Sequence, residues 1–217
     1  MGIEKSMLQE DRVTRIEDIL LRKQPTLQLM LDNVHSSQNL SAILRSADAV
    51  GILYCYYSTA DNKELRMHRT ITQGAHRWVE RSRIDMQERT DFLERKKREG
   101  YRIIATGLEE QANSFREADY TVPTIIILGN EKEGVSDQVL ALADEVVTIP
   151  MTGMVQSLNV SVAAGLLLYE AQRQREEAGY YRVPQLSPEE RKSLKEAWFY
   201  RDVIARRSKG VIPLKKG

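Results

Sequence analysis

The chain has 217 residues, enough for one core domain with extensions or for two small domains. Hydrophobic residues make up 41% and charged residues 29%, a globular balance, and no apolar run nears the roughly 20 residues that a membrane span needs. Net charge is only +1, which by itself points to no partner, and with no secretory h-region at the start the expected location is the cytoplasm, away from membranes.

In chain order, residues 7–23 place Val13, Ile16, Ile19 and Leu20 at three-to-four spacing, which predicts a helix closed by Pro25. Leu27–Leu31 predicts a strand. Asn39–Val50 predicts a helix that buries Ile43, Ala47 and Val50 and ends at Gly51. A strand at Leu53–Tyr57, a charged helix near Asn62–Ile71, a strand at Trp78–Ile84 and a helix at Met86–Glu99 follow. Arg102–Thr106 is the next strand. Thr124–Leu128 and Val146–Ile149 are near-continuous aliphatic runs, the pattern of strands buried on both faces, with a helix at Ser136–Ala143 between them. A long helix over Asn159–Ala178 stops at Gly179, Pro184–Pro188 reads as a hinge, and Glu189–Arg207 predicts a last, basic helix.

Strands alternating with helices predict an α/β fold, a parallel sheet with helices on both faces. The expected division is an N-terminal helical extension over 1–25, a central domain over 26–180 and a basic extension over 181–217. That last segment from Arg182 onward holds ten Lys and Arg against four acids, a net +6, which leaves −5 on the rest. A basic tail on an acidic core points to a polyanion such as RNA. Cys55 is the single cysteine and sits in an apolar-aromatic run, so a buried core thiol is expected. With three histidines and no cluster at ligand spacing, no metal is expected.

Sheets of this kind bind ligands at the carboxyl ends of their strands, which directs attention to the loops after Thr106, Leu128 and Ile149. None carries a dinucleotide or Walker sequence; the loop after Leu128 reads Gly129-Asn130-Glu131-Lys132-Glu133-Gly134. Asn39 stands where it could cap a helix, and Arg45 stands three residues before Asp48, where a surface ion pair is the plainer reading.

Three segments together resemble one family. They are Asn39-Leu40-Ser41-Ala42-Ile43-Leu44-Arg45-Ser46-Ala47-Asp48-Ala49-Val50-Gly51, then Ile126-Ile127-Leu128-Gly129-Asn130-Glu131-Lys132-Glu133-Gly134, then the run from Ile149 through Pro150-Met151-Thr152-Gly153-Met154-Val155-Gln156-Ser157-Leu158-Asn159 to Ala164. In this order they resemble the three motifs of the SpoU/TrmH RNA 2′-O-methyltransferases of the knotted SPOUT superfamily, over about residues 15–180. The resemblance implies S-adenosylmethionine as cofactor, a deep C-terminal trefoil knot and a homodimer. It implies catalytic roles for Arg45, Asn39, Glu131, Ser157 and Asn159, and cofactor contacts at Thr106, Leu128, Gly129, Ile149, Met151 and Leu158.

The family's tRNA-acting members use terminal helical extensions on their substrate, which implies phosphate contacts from Arg191, Lys192, Lys195, Arg206, Arg207 and Lys209. Few residues precede the first strand, which favours tRNA and the D-loop guanosine at position 18. Alternatives are an rRNA or anticodon-loop 2′-O-methyltransferase, or a non-catalytic RNA-binding protein on the same scaffold. Trp198, Phe199 and Tyr200 could stack on bases, but packing against the core is the favoured reading.

Overall fold

The computed structural model describes residues 2–107, 112–130 and 132–207. Its strands are β1 (Leu27–Leu31), β2 (Tyr54–Tyr57), β3 (Glu80–Arg83), β4 (Arg102–Thr106), β5 (Asn113–Ser114), β6 (Thr124–Leu128) and β7 (Glu145–Thr148). They form one sheet in the order β3-β2-β1-β6-β4-β7-β5, with every pairing among the described residues parallel. β6 therefore inserts between β1 and β4, and β7 between β4 and β5, each later in the chain than the strands that flank it.

The helices are α1 (Gly2–Leu20), α2 (Ser37–Ala49), α3 (Arg69–Thr72), α4 (Arg89–Arg98), α5 (Asp137–Leu140), α6 (Val160–Glu177) and α7 (Pro188–Arg207). The period of two along a strand divides β6 between the two faces of the sheet. Ile126 and Leu128 pack with Leu40, Ile43 and Ala47 of α2 and Leu167, Leu168 and Ala171 of α6. Ile125 and Ile127 pack with Phe92 and Leu93 of α4 and Val139 of α5. Burying one such side chain contributes about 1.5–3 kcal/mol. Cys55 lies in the first of these clusters, and burial pushes its thiol up to about 12, as expected of an inert core cysteine.

Arg175, in the last turn of α6, is fully buried and fixes that helix to the sheet. Its guanidinium donates to Tyr120 O at 2.8 Å, Val122 O at 2.9 Å, Thr26 Oγ1 at 3.0 Å, Thr26 O at 3.3 Å and Gln24 Oε1 at 3.3 Å. A fork of five donors can satisfy this crowd of oxygens, which a lysine ammonium could not.

A third cluster joins the two ends of the chain. Ile16 and Leu20 of α1 and Trp198 of α7 pack with Leu53, Trp78 and Leu186. Trp198 is fully buried, meets Trp78 edge-on at 5.5 Å and donates Nε1–H to Glu80 Oε1 at 2.9 Å. Arg201 clamps the same carboxylate with two bonds of 2.7 Å. Burial alone would raise the pKa of Glu80, but the bonds from Arg201 and Trp198 outweigh it and hold the carboxyl below its usual value. The aromatic run of the tail is thus anchored on the core through Trp198.

Two expectations need correction, and one strand carried no sequence signal. Residues 62–68 are not helical, and only Arg69–Thr72 form a short helix. Asn62 takes a left-handed φ of 53° and its side chain accepts from Met86 N, while Leu65 and Met67, two residues apart, both pack on the core as in extended chain. The strand β5 has two residues and no apolar pattern, and only its pairing with β7 reveals it. The cap of α2 is Ser36, whose Oγ accepts from Asn39 N at 3.2 Å, so Asn39 lies inside the helix rather than at its cap.

Trp198→Ala should remove the keystone of the α1–α7 cluster and cost about 3–5 kcal/mol, the range for a buried Trp truncation. Urea unfolding followed by circular dichroism measures it; a change below about 1 kcal/mol would mean that α7 contributes little to the fold.

Candidate active site

Because the strands run parallel, their carboxyl ends share one edge of the sheet, the usual place for a ligand in such folds. There, between the ends of β4, β6 and β7 and the start of α6, lies a cavity of about 510 Å³. Thr106, Leu128, Gly129, Ile149, Met151 and Leu158 all border it, and so does Ser157. Thr106 and Leu158, at opposite ends of this set in sequence, border the same cavity through the order of the strands.

The wall after β6 is a tight hairpin. Asn130 and Gly134 exchange two backbone bonds of 3.1 Å, and Asn130 Oδ1 accepts from Lys132 N at 2.9 Å and Glu133 N at 2.8 Å. Gly134 has a φ of 71°, which favours glycine. At Gly129 the fold itself requires glycine. A Cβ there would stand 1.8 Å from Gly134 C and 2.1 Å from Val135 N, so the hairpin's own backbone excludes it. Thr106 turns its hydroxyl inward onto Ile127 O at 3.2 Å and so faces the cavity with backbone and methyl.

Asn159 caps α6. Its Oδ1 accepts from Ser161 N at 2.8 Å and from Ser161 Oγ at 2.6 Å, which orients its Nδ2 toward Asn39 Oδ1 at 3.4 Å. One amide therefore ends a helix and holds another amide, and residues 120 apart meet beside the cavity lined by Leu158 and Val160. Glu131 lies outside the described residues.

Arg45 is exposed and borders a different cavity, of about 340 Å³, between α1, α2 and residues 72–78. It makes no ion pair with Asp48, contrary to the plainer reading of their spacing. Asp48 Oδ1 instead accepts from Lys23 Nζ at 2.9 Å. Lys23 is fully buried, with its other bond to Ile52 O at 3.0 Å and its ammonium 5.4 Å from the Trp198 ring. Burial pushes its pKa down against the pull of Asp48. A buried ammonium needs its carboxylate far more than an exposed guanidinium does, and Arg45 is left facing solvent.

The basic helix is partly spent on the fold. Lys195 Nζ lies 2.9 Å from Glu17 Oε1, Arg206 Nε lies 2.8 Å from Asp202 Oδ2, and Arg191 donates to Leu186 O at 3.0 Å. Lys192 is exposed, Arg207 is the last residue of α7, and Lys209 lies outside the described residues. Sequence reasoning missed Gly107, Thr148 and Gln156, which also border the 510 Å³ cavity. Gly107 follows β4, Thr148 ends β7, and Gln156 lies inside a motif already singled out.

An open parallel α/β sheet with a ligand-sized cavity at its carboxyl edge, and amide and hydroxyl groups gathered at the rim, defines an α/β enzyme built around a small organic ligand. The chain belongs to the SpoU rRNA Methylase family, whose model matches residues 26–169. It is 46% identical over 202 residues to the tRNA (guanosine(18)-2′-O)-methyltransferase of Aquifex aeolicus, covering 92% of this chain and 94% of that one. The crystal structure of the A. aeolicus TrmH/SpoU tRNA modifying enzyme superposes with a TM-score of 0.87 at 46% identity, over 90% of this chain and 98% of that one. The SpoU methyltransferase AviRb of Streptomyces viridochromogenes, in complex with the cofactor AdoMet, gives a TM-score of 0.62 at 28% identity over 72% of this chain and 64% of that one.

Gly129→Ala should force the hairpin open, costing more than the roughly 1–3 kcal/mol usual for overpacking, and should abolish most binding of S-adenosylmethionine. Calorimetry and thermal unfolding measure both effects. Wild-type affinity with an unchanged melting temperature would show that the loop accommodates the methyl and that the cavity does not depend on its closure.

Proposed function

We propose that this chain transfers a methyl group from S-adenosylmethionine to the ribose 2′-hydroxyl of guanosine 18 in the D-loop of tRNA. The observation that carries the reading is the gathering of the six cofactor positions around one cavity, with Ser157 on its wall and the Asn39–Asn159 pair beside it. The names of the Aquifex relative and the AdoMet complex of AviRb support substrate and cofactor respectively.

The cavity's volume suits a nucleoside-sized ligand, with aliphatic walls at Leu128, Ile149 and Leu158 for a planar base and loop backbone for its polar edge. When bound there, S-adenosylmethionine supplies an electrophilic methyl on a sulfonium. The transfer would leave the demethylated thioether and release the hydroxyl proton to solvent water, so the chain must present the 2′-hydroxyl and accommodate the negative charge that develops on it. A guanidinium stays protonated at neutral pH, so Arg45 acts as a charge-assisted donor to the developing alkoxide and to a neighbouring RNA phosphate, not as a base. Asn39 and Asn159, held by the cap of α6, orient the ribose, and Ser157 lines its approach. Glu131 is assigned the carboxylate that orients these groups.

The same reading includes a deep trefoil knot in the C-terminal half, supported by the late insertion of β6 and β7 between earlier strands. It also includes a homodimer. Val162, Leu166 and Tyr169 stand exposed at i, i+4 and i+7 on α6, with Met154 and Val155 exposed just before it. That stripe is suited to a second copy of the chain. Arg45 borders a different cavity from the cofactor positions, so we assign the active arginine at each cofactor to the other protomer. No helix among the described residues is long and apolar enough to cross a membrane, and we place the enzyme in the cytoplasm with its tRNA.

Arg45→Ala should lower methyl transfer by about 10²–10³, the loss seen when a donor to developing negative charge is removed, while S-adenosylmethionine binding persists. Nucleoside mass spectrometry of tRNA after incubation gives the readout and also locates the modified ribose. Near-normal turnover would remove Arg45 from the chemistry, and methylation elsewhere than the D-loop would correct the substrate.

The double variant Val162→Glu, Leu166→Glu should sediment as a monomer and lose activity. A dimer that survives both charges would place the interface elsewhere.

A further inference from the structure

Two cavities adjoin on the side of the molecule that carries Arg45. Gln73 and Arg77 border both of them and form the ridge between. The first is the 340 Å³ cavity at Arg45; the second, of about 630 Å³, lies between α3, β3 and α7. The ridge is a tight turn in which Gln73 and Gly74 both take left-handed φ, 48° and 92°. A Cβ at Gly74 would stand 2.5 Å from Arg77 Nη2, so the bare glycine lets this guanidinium fold back over the turn.

The second cavity is lined by Arg69, Arg77, Arg81 and Arg201 against the single carboxylate of Glu80. Two of the four are committed to the fold: Arg201 to both oxygens of Glu80, and Arg77 to Asp202 at 2.7 Å. Asp202 is buried and already shared with Arg12 and Arg206. No ion pair among the described residues engages Arg69 or Arg81. Arg69 is exposed, and Arg81 is half-buried on the edge strand of the sheet. Burial pushes Arg77 down against the pull of Asp202, with smaller contributions from Arg12, Arg206 and Arg69. Beside these guanidiniums the surface is apolar. Ile204 lines the cavity, and Tyr200, one turn earlier on α7, is 67% exposed. Guanidiniums in one cavity, with an exposed ring one helical turn from its Ile204 wall, suit a nucleotide better than a bare anion.

We propose that this second cavity grips the sugar-phosphate backbone of the substrate RNA, with Arg69 and Arg81 holding phosphates further along the strand from the one at Arg45. The proposal rests on the reading of tRNA as substrate given above. It places a binding surface on α3 and the edge strand, apart from the basic residues of α7. Arg77 positions the ridge and is not itself a contact.

The test uses full-length protein and one tRNA transcript over a salt series. Arg69→Gln with Arg81→Gln should raise Kd about tenfold near 0.1 M salt and flatten the dependence of log K on log salt by about 1.5–2, since each phosphate contact contributes a slope near 0.9. KM for tRNA should rise with kcat within about twofold, because contacts remote from the reacting ribose act mainly through uniform binding. Affinity for S-adenosylmethionine should not change. Arg69→Lys with Arg81→Lys should keep most of the salt slope, which a merely structural role would not predict. If the Arg81 change lowers the melting temperature, Arg69→Gln alone should still flatten the slope by about 0.9. Unchanged Kd and slope in folded variants, with wild type binding normally, would overturn this proposal alone. Wild-type protein that binds no tRNA would overturn it together with the substrate reading.

Discussion

Along β1 and β6 five consecutive residues each are buried, so neither strand offers a face to water. Parallel strands of this kind survive only where helices cover both sides, and that demand arranges the molecule. α2 and α6 close one face and α4 and α5 the other. With both faces closed, the carboxyl edge of the sheet is where backbone from β4, β6 and β7 can meet a ligand. The turn after β6 is shaped by its own contacts. The Asn130–Gly134 hairpin closes so tightly that Gly129 has no room for a methyl group.

The charges at the two ends of the chain follow a similar economy of burial. Lys23 lies under Trp198, and its ammonium must be met by Asp48 and a carbonyl. That pairing takes the acid which the spacing of α2 would otherwise have offered to Arg45. Glu80 and Asp202 likewise draw Arg201, Arg77, Arg12 and Arg206 into the seam where α7 meets the core. The tail's excess of positive charge is real in composition, yet part of it is engaged within the molecule. Cations that remain available to a polyanion, such as Arg45, Arg69 and Arg81, lie on α2, α3 and the sheet edge, where net charge by segment had shown nothing.

Side chains beside the cavity are held by the helix end they cap. Asn159 caps α6 and thereby fixes the amide that meets Asn39. Because Ser36 caps α2, the Asn39 side chain is not needed as that helix's cap. A cap costs little mobility to maintain, since the helix end holds it in place, and this fixes the polar pair beside the cavity.

Much of this was legible in one dimension. The strand at 124–128 announced itself as an aliphatic run and is buried throughout, and the long helices showed by apolar spacing and terminal glycines, because burial imposes its own period. The run at 146–149 had the same look, but β7 lies near the sheet edge and only Val147 of it is fully buried. Three motifs pointed to the family; the six positions expected at the cofactor and Ser157 border one cavity, while Arg45 borders another. What tertiary structure alone decided is of another kind. The strand order, which brings Thr106, Gly129 and Leu158 together, depends on pairings between distant segments that no local pattern encodes. Strand β5 exists only through β7, and residues 62–68 are extended because Leu65 and Met67 reach the core and Asn62 bonds Met86, which outweighs a helical tendency in a charged run. The partner of Asp48 was undecidable from spacing, because the competing cation lies 25 residues away and wins by being buried.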